Sequence, residues 1–246
     1  LFSGAATRAF PNNHSFTKVR ASAFEMAGQS DSALFYYKKA LAADANDVAT
    51  SLAIAKLLID RAVFDTASAN RIPRTDTAAA RRFREPFVQK VDSARPYLRP
   101  GLNSADSTQK LAASVIMLTG GSKLAQAQAY DGAYPWLDSL LTVMAPKNAA
   151  DTLGPKQQVR INGSFWYGLS SVLTLAKPYK EMTEAKGAQR CVLARQVFDR
   201  LTRTKNALTL GRRVHPPTAD QMMGFQRQYE AAKPQVQKAF KCSPPL

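Results

Sequence analysis

Along most of the chain apolar residues return every third or fourth position, the period of a helix that turns one face to a core. No useful length of chain alternates apolar and polar residues as a half-buried strand does. The pattern predicts an all-α fold, with helices over 3–9, 14–27, 31–43, 47–66, 78–98, 105–119, 122–130, 134–144, 156–178, 184–204, 217–231 and 233–241.

The breaks between these segments carry residues that stop helices: Pro11 with Asn12 and Asn13, Gly28, Pro73, Pro100 with Gly101, Gly120 with Gly121, Pro146, Gly154 with Pro155, Gly187, Gly211, and Pro216 with Pro217. Most gaps are short, and short links between helices of similar length make neighbours antiparallel, so the chain reads as a series of αα-hairpins. Residues 67–77 read as an irregular insertion and 217–241 as two C-terminal capping helices on a single domain spanning 1–246. Phe24, Phe35, Tyr37, Phe83, Phe87, Trp136, Phe165, Trp166, Phe198 and Phe225 fall on the inward stripes and are expected in the core.

The segment from His14 to Asp47 carries a motif, two helices joined at Gly28, Gln29 and Ser30. A small residue stands at Ala21 where the two helices cross and an aromatic at Phe24; Ala33, Tyr37 and Ala40 follow in the second helix. This resembles a tetratricopeptide repeat, whose period is about 34 residues. Small side chains let the helices approach, and the aromatics fill the space between successive hairpins. Thr17 and Arg20 depart from the family's larger apolar residues, and Ala45 stands in place of its usual proline. Leu1 to Asn13 looks like the end of a preceding repeat, Tyr134 to Pro146 like another second helix, and Val159 to Pro178 with Gly187 to Thr204 like a longer hairpin.

The resemblance implies a right-handed superhelical solenoid that works as a non-enzymatic scaffold for protein partners. In this family the first helix of each repeat lines a concave groove, which implies that Ser15, Lys18, Ser22, Glu25 and Met26 face it as candidate ligand residues. The alternative is a groove filled by the chain's own later helices. A chain opening in mid-repeat leaves an apolar edge to be covered, by an upstream segment or by a neighbouring copy; head-to-tail contacts of the second kind build filaments. A structural subunit assembling end to end is therefore the second functional expectation.

Charge narrows the choice of partner. Thirty-four Lys and Arg oppose eighteen Asp and Glu, a formal +16, with the surplus building from Arg71 through Arg99 and again from Arg190 through Arg213. Such a field suits an acidic protein surface, an anionic lipid or an acidic polysaccharide; a merely solvated face is the plain alternative. No nucleic-acid recognition module is present and the Arg residues are scattered, which argues against nucleic acid. Apolar residues at 45% and charged residues at 21% are ordinary for a folded globular chain.

Candidate chemistry is sparse. His14 and His215 stand in turn-like segments suited to surface or capping roles, outside any ligand or triad spacing, so no metal site, cofactor or catalytic centre is expected. The Thr119 to Lys123 run lacks phosphate-loop spacing and reads as a helix-ending turn. Glu181 and Glu184 lie among lysines as a solvated face, and Asn13 and Asn162 begin glycan-acceptor triplets that arise often by chance. No run is long enough to span a bilayer. Cys191 and Cys242 either form a bridge that pins the C-terminus or remain two separate thiols. With Leu1 in place of an initiator Met, the bridged reading makes this an exported protein, periplasmic, surface-bound or extracellular.

Overall fold

The computed structural model describes residues 14–146 and 154–246. The expected helix over 3–9, the preceding repeat at Leu1 to Asn13 with its uncovered edge, and the Asn13 triplet lie outside the described residues. Among the described residues there are helices and turns and no strand, so the chain is all-α. It divides between Gly120 and Gly121 into two compact units.

The first unit opens with α1 (His14–Met26) and α2 (Ser30–Ala43), an antiparallel pair. Gly28 sits between them at φ +72°, in the left-handed region. Its N–H donates to the Glu25 carbonyl and that of Gln29 to the Phe24 carbonyl, both at 2.9 Å, the paired bonds that close a helix C-terminus on glycine. Ala21 and Ala33, both fully buried, let the helices cross closely, and Tyr37, Ile54 and Leu57 complete the cluster.

Three aspartates start the next helices. Asp47 accepts from the Thr50 amide at the head of α3 (Val48–Arg61), Asp65 from Ser68 at α4 (Thr66–Ala69), and Asp76 from Ala79 at α5 (Thr77–Asp92). The helix expected over 47–66 therefore ends early, at Arg61, and the irregular stretch holds the short α4. The helix expected over 78–98 is two, α5 and α6 (Arg95–Leu102), because Pro96 in the first turn of α6 brings no N–H to continue α5.

Glycine misleads at two predicted breaks. The helix α7 (Ser107–Gln126) runs straight through Gly120 and Gly121, and α6 continues through Pro100 and Gly101. A Cβ on Gly121 would stand 2.8 Å from Leu137 Cδ2, and one on Gly101 would stand 2.8 Å from Ala113 Cβ and 2.9 Å from Leu52 Cδ2. These glycines admit a neighbouring helix; they do not end their own. The Thr119 to Lys123 run is accordingly helix interior, with its amides committed to the helix ladder, and offers no cradle for an anion.

In the second unit, α8 (Tyr130–Val143) follows α7 through a turn that repeats the one at Gly28. Gln128 takes φ +57°, its N–H donates to Ala125 O, and that of Ala129 donates to Leu124 O, both at 2.9 Å. Gly121, Leu124, Ala133, Leu137 and Leu140 then occupy the places that Ala21, Phe24, Ala33, Tyr37 and Ala40 hold in the first hairpin. Beyond it lie α9 (Gly154–Leu173), α10 (Ala176–Glu184), α11 (Gly187–Gly211), α12 (Pro216–Glu230) and α13 (Lys233–Phe240). The helix expected over 156–178 stops at Leu173, and Pro178 belongs to the first turn of α10. His215 caps α12, its Nδ1 accepting from the Thr218 amide at 3.3 Å.

Most predicted core aromatics are buried or half-buried, with Trp136 and Phe198 among the buried ones. Phe35 and Phe225 are not: they are 63% and 42% exposed. Phe35 stands two residues from both Ala33 and Tyr37, which at 100° per residue puts it on the far side of α2 from the buried stripe. Cys191 on α11 and Cys242 lie with their sulfurs 2.03 Å apart, at disulfide distance, across 51 residues of chain. Of the two readings of the cysteines, the bridge is the one found. Beside it Arg195 donates to the Pro244 carbonyl at 2.7 Å, and Leu246 packs on the Leu175, Met182 and Phe198 core.

Candidate binding site

The five residues implied by the repeat resemblance do not share one environment. Ser15 is exposed on α1 and Met26 is 82% exposed at its end. Lys18 pairs with Asp47 at 2.7 Å. Glu25 accepts from the Tyr37 hydroxyl at 2.9 Å and meets Lys56 Nζ at 3.4 Å, with Ser22 also hydrogen-bonded to Tyr37. Burial pushes the Tyr37 hydroxyl up from its ordinary value, and the Glu25 carboxylate that accepts its proton adds to the shift, so it stays a donor at neutral pH. Burial would raise Asp47 too, but hydrogen bonds from Lys18 and Thr50 outweigh it and hold its carboxyl below the usual range. Lys18 and Glu25 thus bind helices of their own chain together.

A more open arrangement lies in the second unit, built on close helix contacts. A Cβ on Gly163 of α9 would come within 2.8 Å of Leu140 Cδ2 on α8. On the other side of α9, a Cβ on Gly211 would stand 2.7 Å from Phe165 Cα. Both flanking helices therefore sit hard against α9 and leave a cleft of about 500 Å³ above it. Arg160, Ser164 and Tyr167 lie at helical spacing on its α9 side. Leu141, Thr142, Ala145 and Pro146 line the side of α8, and Arg203, Asn206, Ala207 and Leu210 that of α11.

Polar contacts lock the adjoining helix turns. Arg200 lies over the Tyr134 ring, 3.8 Å from its centroid, and donates from Nε to Ser171 Oγ at 3.0 Å, from Nη2 to the Ser171 carbonyl at 2.8 Å and to the Thr174 hydroxyl. Thr204 donates to the Arg200 carbonyl at 2.7 Å, so in the 2.6 Å contact between Ser171 and Thr204 the serine is the donor. Each hydroxyl proton then has a destination. Burial lowers the Arg200 guanidinium from its ordinary value, but the neighbouring aromatic hydroxyls and carboxylates oppose this.

Arg203 pairs with Asp138 at 2.8 Å. That contact runs off the N–H axis, leaving an ion pair without a directional hydrogen bond. Tyr167 is 1% exposed beside Tyr134, and burial, with the Tyr134 hydroxyl adding to it, pushes the Tyr167 pKa far above the ordinary tyrosine value. Arg160 is half-buried, and no carboxylate among the described residues pairs with it. Among the described residues no acidic side chain lines the cleft.

Sequence reasoning did not single out these residues. The available signal was the 160, 164, 167 spacing on a helix that also carries Gly163 and Gly168, but nothing local says which helices flank it. Among the described residues no group of His, Cys, Asp and Glu could hold a metal ion, and no helix is long and apolar enough to cross a membrane.

Fold and cleft define an all-α protein of packed helical hairpins whose open cleft sets positive charge beside apolar side chains. No protein-family model matches the chain, and neither does any curated protein or solved structure.

Proposed function

We propose that this chain is a non-enzymatic scaffold of the tetratricopeptide-like kind that holds a protein partner, and that it works outside the reducing cytoplasm. The observation that carries the reading is the open cleft over α9, which sets apolar side chains of α8 and α11 beside the guanidinium groups of Arg160 and Arg203. The shared turn geometry at Gly28 and Gln128, each followed by an alanine at the helix crossing, supports a repeated hairpin unit stacking into a superhelix. The cysteine pair supports export, because disulfides persist in oxidising compartments. The charge of +16 points to an acidic partner surface.

The test is purification of the tagged full-length protein from its native source at low and at high salt, followed by sizing and protein identification. A stoichiometric protein partner that leaves as salt rises is the expected result. A monomer that carries nothing at low salt overturns the scaffold.

A second reading, a structural subunit that assembles end to end, is favoured by the first hairpin, where Val19, Met26 and Phe35 are 57%, 82% and 63% exposed. Extended polymers of the purified protein in negative-stain images would select it over the first.

A further inference from the structure

We propose that the cleft between α8 and α11 is the docking site for a peptide segment of a partner protein carrying a carboxylate beside an apolar side chain, with Arg160 as its charge anchor. This rests on the scaffold reading and names the chemistry it uses.

Four observations converge on such a segment. The first is charge: Arg160 is half-buried with no carboxylate partner among the described residues, whereas Lys18, Lys56, Arg61, Arg203 and Arg212 each have one. A guanidinium drawn partly out of water without a counter-ion gains most from a carboxylate arriving from outside. The second is the lining, which contains Arg203 as a further cation and, among the described residues, no acid. Arg203 meets Asp138 through one nitrogen and keeps other N–H donors.

The third is the pairing of apolar groups: Leu141 on α8 and Ala145 just beyond its end face Leu210 on α11, and they offer an apolar side chain contact from two directions. The fourth is form. The cleft is open to solvent, which suits a peptide whose backbone keeps its hydrogen bonds to water. A small ligand gains its affinity from a pocket that encloses most of its surface. The overall charge of +16 draws an acidic segment toward the protein before any contact forms.

The experiment titrates the full chain with a fluorescent peptide of alternating Glu and Leu and with a Lys-for-Glu version, at low and physiological salt. Arg160→Glu reverses the anchor, Ala145→Trp fills the cleft from an exposed position, and Arg227→Glu makes the same change of net charge on the exposed face of α12. Far-ultraviolet circular dichroism and melting establish that each variant folds. The expected result is that the acidic peptide alone binds, with Kd raised at least about tenfold by Arg160→Glu. Ala145→Trp has a similar effect, and Arg227→Glu leaves Kd within about twofold.

Equal Kd values for wild type, Arg160→Glu and Ala145→Trp overturn the site, as does equal binding of the Lys peptide. Free glutamate that competes at the peptide's own concentration overturns the peptide assignment in favour of a small anion. A native partner retained equally by wild type and Arg160→Glu places docking elsewhere and leaves the scaffold standing. Loss of any partner from wild type sinks the scaffold itself.

Discussion

The closeness of α9 and α11 can be tested by making one substitution at two glycines of the second unit. Gly224 lies inside α12, where a Cβ would meet nothing within 4 Å. Alanine there lowers the conformational freedom of the unfolded chain and improves helix propensity, so Gly224→Ala should stabilise by about 0.5–1 kcal/mol. At Gly211 the same Cβ stands 2.7 Å from Phe165 Cα and 3.1 Å from Phe165 N. Carbon atoms rest at about 3.5–4.0 Å, and both obstructing atoms are backbone, so no rotamer change relieves the clash.

One helix must then shift, at the roughly 1–3 kcal/mol typical of overpacking. Subtracting a propensity gain of about 1 kcal/mol leaves Gly211→Ala destabilised by about 0–2 kcal/mol, and less stable than Gly224→Ala by about 1–3 kcal/mol. The unfolded-state term is common to both variants, so their difference isolates the packing. Urea unfolding followed by circular dichroism measures it, with a Tm change of about 2–4 °C per kcal/mol as a second readout. If Gly211→Ala proves as stable as Gly224→Ala, the two helices are not in contact at Phe165 and the cleft is not built as described.

Two further outcomes follow from the site and its surroundings. Asp47→Ala removes the cap of α3 and the partner of Lys18, and should cost about 1–2 kcal/mol in denaturant titration at neutral pH. Because the folded carboxyl lies below its unfolded value, its contribution is full above the unfolded pKa and is lost as pH falls through the folded one. The gap between wild type and variant should therefore narrow below about pH 4, and a gap that widens with acid would refute the assignment. The Cys191–Cys242 bridge closes 51 residues, for which loop entropy gives about 4 kcal/mol; the Cys191→Ala, Cys242→Ala double variant should lose up to that amount in urea. The denatured, unreduced protein should titrate no free thiol, and two thiols per chain would remove the bridge.

Much of the local architecture was legible beforehand because its causes lie within a few residues. The helical period predicted the element type, and Gly28 marked its turn because only the chain's own backbone decides that a left-handed residue closes α1. The aspartates at 47, 65 and 76 likewise bond amides within their own first turns, a signal that would have corrected the end of α3 had it been weighed against the apolar run. The Cys191–Cys242 pairing stood open as one of two readings, since the path that returns residue 242 to α11 is not a local property.

What only tertiary structure decided was the meaning of residues that act through distant neighbours. Gly101 and Gly121 read as stops but serve close helix approach, and Gln128 adopts the left-handed turn without being glycine. Phe35 read as core because aromatic identity outweighed its angular position on α2. Arg160, Ser164 and Tyr167 form one side of a cleft only because α8 and α11 flank α9, and each approaches through a glycine whose contact is remote in sequence. Periodicity and capping are written into consecutive residues by backbone geometry. Which face meets which is settled by the packing of side chains that the chain brings together only when it folds.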